Sequence, residues 1–544
     1  MGKAALGDNH RIRYAPLTAP AKLRKSLPAL AAGAAAAALL AACVAAQPTG
    51  DDAFSAERTT QEFAAGYEAI SGRYVDKTAI STVALAGLDG LSVLDPEIEI
   101  DRDGDKVEMR RAGVLLSSFA APGDDDADGW ADLTVKALML GRAASPQVMT
   151  ASSESIYDAV FDKSLTKLDE FSRYAGRDLA RNHRAMRDGF GGIGFEFTVT
   201  PDRTMKITSV VGDTPAERGG LQVGDVVTQL DGRPITDLNR DDITNLLRGR
   251  VGTHITLTIY RMENDGPLKL TFERALIVPP TVTAELQGDI AYLTVSSFNQ
   301  RTAISLSSAF DQLKSHGDAK GVVLDLRGNP GGLLDQAIAV ADLFLDGGEI
   351  IETHGRHPDS NQRFDASGND IAKGLPMAVL INGDSASSAE IVAAALQDQH
   401  RAVLVGSTSF GKGTVQNVIR LPNDGELTLT WSRVEAPSGY AFHKLGIMPT
   451  LCTSKSAESA HDLEADLRNG RIDSAHILAA WRSGHDDTRA TDELRSNCPA
   501  RHDIAGEDLQ VAKDVLEDSE LYARAMKLSE PAVAQGAGPS VATR

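Results

Sequence analysis

Two short stretches of the sequence carry residues that could perform nucleophilic catalysis. The first, Asn382-Gly-Asp-Ser-Ala-Ser-Ser-Ala-Glu390, places small hydroxyl residues at a sharp turn before an apolar run. The second, Phe410-Gly-Lys-Gly-Thr-Val-Gln416, holds one lysine among glycines. A serine hydroxyl is a poor nucleophile at neutral pH and needs a base, which a neutral lysine amine can supply. Ser387 and Lys412 are therefore the predicted nucleophile and base.

A lysine can act as a base only if its pKa is low enough to leave part of it uncharged. Lys412 is flanked by glycines and follows a predicted apolar strand at residues 402–405, and burial in such a setting lowers the pKa of an amine. Gln416 would share a face with Lys412 in an extended chain, and the i,i+4 spacing would also bring the two together in a helix. In both cases its amide would orient the amine without adding a carboxylate that favours the protonated form.

Backbone donors for a developing oxyanion are predicted beside the serine turn. The segment Leu326-Arg-Gly-Asn-Pro-Gly-Gly332 follows a buried strand directly, and Gly331 and Gly332 let amides approach a ligand closely. The N–H of Ser388 is a further donor. Each feature also has a plain structural interpretation, namely a helix N-cap, a solvated lysine and a tight turn. Their joint placement favours the catalytic interpretation.

A sheet must position these stretches. From residue 290 onward, predicted strands alternate with predicted helices, which indicates βαβ units and a sheet with a parallel portion. Strands are predicted at residues 290–295, 321–326, 378–381 and 402–405, and helices at 302–316, 333–344 and 389–396. Active residues of such sheets lie just past the strand ends, and the loops at 327–332, 382–388 and 407–413 occupy those places.

Residues 191–276 consist of short β-runs separated by turn signals, with one helix predicted at 241–247. This stretch resembles a PDZ domain in Gly192-Ile-Gly-Phe195, Thr214-Pro-Ala-Glu-Arg-Gly-Gly-Leu221, Gly224-Asp-Val-Val227 and Leu230-Asp-Gly232. The resemblance implies recognition of a peptide C-terminus. The amides around Gly192, Ile193, Gly194 and Phe195 would hold the terminal carboxylate, and the strand edge would pair with the peptide. A plain tight turn is the alternative interpretation of these glycines.

The chain from Tyr67 to Pro449 resembles the carboxyl-terminal processing (tail-specific) protease family. The matching pieces are Arg73-Tyr-Val-Asp76, Leu168-Asp-Glu-Phe-Ser-Arg-Tyr174, Leu324-Asp-Leu-Arg-Gly-Asn-Pro-Gly-Gly332, Ser385-Ala-Ser-Ser-Ala-Glu-Ile391, Ala395-Leu-Gln-Asp398, Arg401-Ala-Val-Leu-Val-Gly406, Phe410-Gly-Lys-Gly-Thr-Val-Gln416 and Gly446-Ile-Met-Pro449. The resemblance implies a crotonase/ClpP-like α/β catalytic core and no metal or organic cofactor. It implies Ser387 as nucleophile, Lys412 as general base and Gln416 as the residue that orients the lysine. The oxyanion donors map to Gly331, Gly332 and Ser388.

The sequence departs from the family pattern in two places. The family usually reads Ser-Ala-Ser-Ala-Ser-Glu, and here Ser388 and Ala389 are exchanged; the match of Ser385-Ala-Ser387 and the spacing from Glu390 to Lys412 keep Ser387 as nucleophile. The family often has Leu-Asp-Pro-His-Ser, whereas Leu168-Asp-Glu-Phe-Ser172 lacks the proline and the histidine. Leu94-Asp-Pro96 repeats part of that motif upstream, so the segment between is interpreted as an insertion or a duplicated helical element.

The N-terminus has the pattern of a secretory signal. Several basic residues precede an apolar run at residues 27–42, which ends in Leu40-Ala-Ala-Cys43. This ending resembles the bacterial lipobox, which implies lipidation of Cys43, and Val44 after it favours the outer membrane of a Gram-negative cell, facing the periplasm. Plain secretion and an uncleaved anchor are the alternatives; the run is short for a membrane span.

The rest of the N-terminal region is predicted to be helical, with a hairpin. Helices are expected over residues 54–94 and 157–186, and a hairpin over 98–119 with its turn at 101–105. The acidic loop at 124–129 imitates the start of a calcium loop, but Val135 stands where a bidentate glutamate is required. A solvated acidic turn is therefore the favoured interpretation.

After residue 449 the chain is polar, with helices predicted near 462–481 and 509–528 and a disordered tail at 531–544. An oxidising compartment permits a disulfide between Cys452 and Cys498, and two buried thiols are the alternative. Three widely spaced cysteines form no metal pattern.

The full chain of 544 residues has 42% apolar residues, 24% charged residues and a net charge of -20. The length and composition indicate a multidomain globular protein, and the charge argues against a nucleic-acid partner. The predicted helical, PDZ-like and βαβ stretches make its fold class α+β. The predicted order is a signal peptide (1–42), a helical region (43–190), a PDZ domain (191–276), a catalytic domain (277–450), a helical extension (451–530) and a tail (531–544). A lipid-anchored serine endopeptidase acting on protein or peptide C-terminal tails fits best; an inactive PDZ scaffold and an esterase or amidase are the rivals. The sequence leaves an oligomer or an adaptor protein open.

Overall fold

The computed structural model describes residues 54–317, 319–454, 460–483 and 488–530. The predicted signal peptide, Cys43 and the predicted tail at 531–544 lie outside the described residues. No helix in the described ranges is both long enough and apolar enough to span a membrane.

The N-terminal region is mainly helical and contains the expected helical pair. Its elements are α1 (Ala56–Arg73), α2 (Ile80–Asp89), α3 (Leu91–Leu94), β1 (Ile98–Asp103), β2 (Lys106–Arg111), β3 (Val114–Ala120), α4 (Ala127–Ala144), α5 (Pro146–Thr150), α6 (Ser153–Leu165), β4 (Arg173–Ala175) and α7 (Arg177–Asp188). The predicted hairpin gains a third strand, because the chain turns again at Ala112 and Gly113, both with positive φ. The acidic loop is a helix start: Asp126 caps α4 by accepting a hydrogen bond from Gly129 N at 3.0 Å.

The prediction of continuous helix over 157–186 is wrong. A short strand, β4, separates α6 from α7 and pairs antiparallel with a strand far along the chain. Three residues can form such a strand only when a partner supplies the ladder, so the local sequence gives little sign of it.

The next module is a small β-structure with its own apolar core. Its elements are β5 (Phe190–Gly192), β6 (Phe195–Val199), β7 (Met205–Val210), α8 (Pro215–Arg218), β8 (Val226–Leu230), β9 (Arg233–Pro234), α9 (Arg240–Leu247), β10 (His254–Tyr260), β11 (Leu268–Glu273) and β12 (Ala275–Ile277). The strand order is β11-β10-β8-β7-β6, which leaves β6 at an edge, and β5 and β12 pair into an antiparallel ribbon where the chain enters and leaves the module. The core includes Met205, Val227 and Leu257.

The predicted αβ alternation after residue 290 forms a six-stranded sheet and a second, five-stranded sheet. The elements are β13 (Val282–Gln287), β14 (Ile290–Val295), α10 (Thr302–His316), β15 (Gly321–Asp325), α11 (Leu334–Asp342), β16 (Glu349–His354), β17 (Gln362–Asp365), β18 (Met377–Ile381), α12 (Ser388–Asp398), β19 (Val403–Gly406), β20 (Thr414–Arg420), β21 (Glu426–Glu435) and β22 (Leu451–Cys452). The first sheet has the order β13-β14-β15-β18-β19-β22 and is parallel from β14 to β22. The second has the order β17-β16-β21-β20, with β4 also on β21.

Both faces of the parallel sheet are covered, which explains why its strands are continuously apolar. Alternate residues point to opposite faces. The C-terminal part of the chain forms α13 (Ala460–Arg468), α14 (Ser474–Arg482), α15 (Thr488–Arg495), α16 (Gly506–Glu517) and α17 (Ser519–Leu528). Leu324 and Val379 face the core that includes α10, α11 and α12, to which α14 and α15 also contribute. Val323 and Leu380 face α13, α16 and α17.

The two cysteines in the described C-terminal part form a disulfide. Cys452 at the end of β22 is bonded to Cys498, with their Cα atoms 5.9 Å apart. This bond resolves the alternative that the sequence left open.

Candidate active site

Ser387 lies on a strained turn between β18 and α12. Its φ is +54°, a value that non-glycine residues adopt rarely and that is common at functional turns. Two hydrogen bonds fix the turn to the neighbouring strand end: Ala386 N donates to Asn329 O at 2.9 Å, and Ser385 Oγ donates to Leu326 O at 2.8 Å. The half-buried Ser387 is thereby held just past the C-terminal end of a parallel strand, β18.

Glu390, in the first turn of α12, joins the turn at residues 382–388, called the serine turn below, to the loop at residues 407–413, called the lysine loop. Its carboxylate accepts hydrogen bonds from Ser387 N at 2.7 Å, Lys412 N at 2.8 Å and Gly411 N at 2.7 Å, and from the hydroxyl of Ser409. The side chain is fully buried. Burial raises the pKa of Glu390, and the four donors oppose that shift. Glu390 lies three residues after Ser387, which fits a capping box, but the sequence gives no sign that its carboxylate would also bind the lysine loop.

Lys412 lies in the loop before β20, half-buried against an aromatic ring. Its Nζ is 5.0 Å from the ring centroid of Phe171 and makes no hydrogen bond to any residue in the described part of the chain. Burial, and then the positive charge of Arg173, lower the pKa of Lys412 to about 8, with Glu390 and Asp169 acting in the opposite direction. An appreciable fraction of the amine is therefore neutral in mildly alkaline solution.

Phe171 occupies the position where the family motif has histidine. The carboxylate of Asp169 accepts hydrogen bonds from Phe171 N at 2.8 Å and Ser172 N at 2.9 Å, which turns the chain into β4. The missing histidine is visible in the sequence, but the contact of the replacing ring with Lys412 is not, because α7, the PDZ-like module and most of the parallel sheet lie between the two residues along the chain.

Gln416 lies on β20, so the extended alternative is the one that the structure adopts. A register shift between Val415 and Gln416 interrupts the pairing of β20 with β21. Gln416 Nε2 donates to Thr414 Oγ1 at 2.9 Å, and no bond to Lys412 is present. The other amide atom, Oε1, is the one that could accept a hydrogen bond from an amine.

The glycine pair lies against the serine turn, and its two amides differ in what they contact. Gly331 has φ +99°, and a Cβ there would come within 2.8 Å of both Ala386 O and Ser387 Cβ, so only glycine fits. Gly331 N already donates to Asn329 Oδ1 at 2.9 Å. The amides of Gly332 and Ser388 donate to no carbonyl in the described ranges, which leaves them as the better placed donors. The Ser388 hydroxyl donates to Gly332 O at 3.0 Å and is thereby held away from chemistry.

A single cavity of about 510 Å³ brings the predicted catalytic and oxyanion residues together. It is lined by Gly331, Gly332, Ser387, Ser388, Lys412 and Gln416, among others. Apolar side chains, including Phe298, Leu334, Ile391 and Val415, form part of its wall. Basic side chains from β4 and α7 form another part: Arg173, His183 and Arg187.

The four residues predicted to bind a peptide carboxylate lie elsewhere, at the start of the PDZ-like module. Gly194 has φ +87°, and a Cβ there would come within 2.4 Å of Thr214, so the turn into β6 requires glycine. Phe195 begins edge strand β6. Beside this strand and α9 is a groove of about 430 Å³ lined by residues that include Phe197, Val199 and Ile243. An edge strand next to an apolar groove is suited to an extended peptide.

One group of side chains has the composition of a metal site. Ligand atoms of Glu352, His354 and Glu435 lie within 4.8 Å of one another on β16 and β21. The three side chains are partly exposed, and Glu352 Oε1 is already paired with Arg363 at 3.0 Å. The group is therefore explained as a surface charge cluster.

Comparison with known proteins gives matches to the same regions. The profile of peptidase family S41 matches residues 289–452, and that of the PDZ domain matches residues 206–261. A carboxy-terminal-processing protease of Bartonella bacilliformis is 40% identical over 314 residues, covering 57% of this chain and 72% of that protein. A carboxyl-terminal-processing protease of Synechocystis sp. is 34% identical over 304 residues, covering 54% of this chain and 70% of that protein. Among solved structures, the photosystem II D1 C-terminal processing protease aligns with 72% of this chain and 92% of its own, at 23% identity and a TM-score of 0.36.

Proposed function

The chain belongs to the carboxyl-terminal processing protease family, the serine-type peptidases of family S41, and from that premise we propose that it cleaves proteins near their C-terminal tails with Ser387 as nucleophile and Lys412 as general base. The observation that carries this proposal is the buried Glu390, whose carboxylate holds the backbone amides of both residues at one cavity. Such a bridge fixes the spacing between the serine turn and the lysine loop, as nucleophile and base require.

In the proposed mechanism, Ser387 Oγ attacks the scissile carbonyl while neutral Lys412 Nζ accepts the hydroxyl proton. The amides of Gly332 and Ser388 donate to the oxyanion, and the Gly331 amide contributes if it leaves Asn329. The protonated lysine then donates its proton to the leaving amine. Water attacks the resulting acyl-enzyme, with the lysine again as base, and the shortened substrate is released.

The proposed role of Gln416 is to orient the amine of Lys412. The hydrogen bond from Gln416 Nε2 to Thr414 fixes the orientation of the amide group. Its Oε1 would then accept a hydrogen bond from Lys412 Nζ. Because an amide carries no charge, it orients the amine without raising its pKa as a carboxylate would.

The PDZ domain is assigned the recognition of the substrate tail. Edge strand β6 would pair with the tail as an added strand, and the turn at Gly192, Ile193, Gly194 and Phe195 would bind its terminal carboxylate. None of these four residues lines the catalytic cavity, so binding of the tail and cleavage would take place at separate positions on one substrate.

We also propose that Cys43 carries a lipid that anchors the enzyme in the cell envelope, facing the periplasm, and in the outer membrane if the cell is Gram-negative. The lipobox-like ending at Cys43 supports the anchor, and the disulfide between Cys452 and Cys498 supports an oxidising compartment. Metabolic labelling with an alkyne fatty acid tests it: wild type should be labelled and Cys43→Ala should not. Equal labelling of the two would refute the anchor.

The experiment for the catalytic assignment compares variants on an unfolded casein and on a reporter protein with an apolar C-terminal tail. Ser387→Ala and Lys412→Ala should each lose at least about a thousandfold in kcat/KM, since a catalytic group acting with its partner is removed. Lys444→Ala, at an exposed lysine close to the same loop, is the matched control and should stay near wild type. Tail-peptide binding, followed by fluorescence anisotropy, should persist in Ser387→Ala. Hydrolysis by purified Ser387→Ala would overturn the assignment.

A further inference from the structure

A segment outside the family-matched residues is hydrogen-bonded to the loops that carry Ser387 and Lys412. This segment, residues 495–508, is called the C-terminal brace below; it runs from the end of α15 to the start of α16. The S41 match ends at residue 452, so the brace is an addition of this chain to the matched core. The inference drawn from it rests on the proposed function, because it concerns the loops that carry Ser387 and Lys412.

The brace is bonded to the main chain of the serine turn. Gly383 N donates to Arg501 O at 2.7 Å, four residues before the nucleophile. Next to this bond, His502 Nδ1 and Asp384 Oδ1 lie 2.7 Å apart. The turn is thus held both by the hydrogen bond from Ser385 to Leu326 O and by the hydrogen bond from Gly383 to the brace.

The lysine loop is bonded to the brace at three successive residues. Ser407 Oγ accepts from Arg501 N at 3.0 Å, buried Thr408 donates to Cys498 O at 2.6 Å, and Arg495 Nη2 donates to Ser409 O at 3.1 Å. Ser409 in turn donates to Glu390, the residue that joins the serine turn to the lysine loop. The brace therefore bonds to the lysine loop a few residues before Lys412. One of the bonded residues, Ser409, also contacts the carboxylate that accepts from the Lys412 amide.

The loop at residues 327–332 carries Gly331 and Gly332 and is called the glycine loop below. Buried charged side chains join it to the brace. Arg327 Nη1 donates to Ala505 O at 2.7 Å and to Asp508 Oδ2 at 3.1 Å. Asp508 is fully buried and also pairs with Arg501. Breaking a buried, paired network of this kind is costly, so the ties restrain the loop that carries the oxyanion donors.

One covalent bond tethers the brace to the sheet. Cys498, whose carbonyl accepts from Thr408, is disulfide-bonded to Cys452 at the end of β22, across 46 positions of sequence. We propose that the C-terminal brace positions the serine turn, the lysine loop and the glycine loop, and that the Cys452–Cys498 disulfide maintains this positioning, so that the catalytic rate depends on the bond. Residues of the brace are positioning residues, since they act through the loops and line no part of the catalytic cavity.

The first test compares the oxidised enzyme with enzyme reduced by tris(2-carboxyethyl)phosphine. The disulfide takes up two electrons and two protons to give two thiols, and the phosphine becomes its oxide with oxygen from water. On labelled casein, reduction should lower kcat at least about fivefold with little change in KM, and reoxidation should restore it. The double variant Cys452→Ser/Cys498→Ser should have the low kcat and ignore the reductant.

A second comparison guards against general destabilisation. Thr408→Val removes the hydroxyl that contacts the brace, and Thr134→Val is the control: both threonines are fully buried, and each donates a hydrogen bond to a main-chain carbonyl, at 2.6 Å and 2.8 Å. Thr134 also contacts the buried Tyr67 hydroxyl at 3.4 Å, so Thr134→Val should lose at least as much thermal stability as Thr408→Val. Only Thr408→Val should lower kcat. This comparison decides the question even if reduction unfolds the chain.

Amide hydrogen exchange provides a readout that needs no substrate. Reduction should speed exchange at Gly383 and leave β7 of the separate PDZ core unchanged. Unchanged exchange at Gly383, or equal kcat in Thr408→Val and Thr134→Val, would overturn the proposal while the assignment of Ser387 stands. If oxidised wild type cleaves nothing, or purified Ser387→Ala still cleaves, the proposed function fails, and exchange at Gly383 still decides whether the brace positions the loops.

Discussion

At the scale of single residues, the site depends on a carboxylate that takes no part in the proposed proton transfer. Glu390 receives hydrogen bonds from backbone amides on both catalytic loops, and its burial removes competing water. Hydrogen bonds to a charged acceptor contribute about 1.5–3 kcal/mol each, and more is lost when a buried partner is left unmatched. Glu390 is therefore the side chain that joins the two loops directly, whereas the C-terminal brace bonds to each of them separately.

Replacing Glu390 by glutamine should damage catalysis more than folding. The amide has the same shape but only one acceptor oxygen, so at least one of the amides of Ser387, Lys412 and Gly411 would face an N–H group. We expect a drop of about 10- to 100-fold in kcat/KM, measured on casein, with a moderate fall in melting temperature. Glu493→Gln, on exposed α15, is the control. Wild-type kinetics in Glu390→Gln would show that the bridge does not position the loops.

The pKa of Lys412 predicts the pH dependence of activity. The proposed base, Lys412, would work when neutral, and burial together with Arg173 lowers its pKa to about 8, so kcat/KM should rise with pH and reach half its maximum at about pH 8. His183, the titratable histidine in the same wall, has a lowered pKa and is already neutral there. Arg173→Ala removes a positive charge, which should raise the pKa of Lys412 and move the midpoint to higher pH. Profiles of kcat/KM from pH 6 to 10 measure this; a midpoint that stays in place or moves down would contradict it.

At the scale of elements, the sequence predicted the strands and helices whose own residues show a clear hydrophobic pattern. Strands β15, β18 and β19 are continuously apolar because helices cover both of their faces, so their prediction from composition was confirmed. The second sheet was missed: β20 alternates weakly, and β4 lies within a run that looks helical. Lys412 and Ser387 could be paired from the motif alone, but the contact of Phe171 with Lys412 could not, since it depends on β4 pairing with β21.

The C-terminal cap of helix α9 should influence the affinity of the PDZ domain for a peptide tail. Buried Arg274 caps its C-terminus by donating to Leu247 O at 3.1 Å and Leu246 O at 2.7 Å, and it also donates to His254 O at 2.7 Å. Arg274→Lys keeps the charge but cannot reach all three carbonyls with one ammonium group. Since residues of α9 line the proposed tail groove, tail-peptide affinity should fall about three- to tenfold, measured by anisotropy.

The same variant should hardly affect the cavity around Ser387. Cleavage of a short peptide that lacks a binding tail should remain near wild type, because Arg274 packs within the PDZ module. If a folded Arg274→Lys protein kept the wild-type tail affinity, α9 would not contribute to tail binding. Arg233→Lys, at an exposed position of the same module, is a suitable control.

At the scale of the whole molecule, the catalytic centre combines parts from distant regions of the chain. The N-terminal region supplies β4 and α7 to the cavity wall, and its core continues into Leu427 and Leu429 of the second sheet. Helices α13, α16 and α17 cover the face of the parallel sheet that lies away from α10, α11 and α12. Such long-range packing leaves no local trace in the sequence, which is why the motifs predicted which residues meet at the cavity but not the elements that support them.

Two deletions should therefore have opposite outcomes. Removing residues 453–544, although they lie beyond the S41 match, would expose the sheet face formed by Val323, Ala378, Leu380, Val403 and Val405. An exposed apolar face of this kind promotes aggregation, so we expect insoluble protein with no casein hydrolysis. Soluble, active protein would mean that the C-terminal helices are dispensable for the core.

Removing the PDZ module should be tolerated structurally. The module has its own core, and Gly192 and Ala275 are paired partners in the β5–β12 ribbon, so a short Gly-Ser linker can replace residues 193–274 without moving the ends. The shortened enzyme should be soluble, monitored by size-exclusion chromatography and circular dichroism, and should keep the disulfide. Its preference for a tail-bearing reporter over the same reporter without a tail should disappear, because the edge strand that would bind the tail is gone. A retained preference would place tail recognition in the catalytic cavity itself.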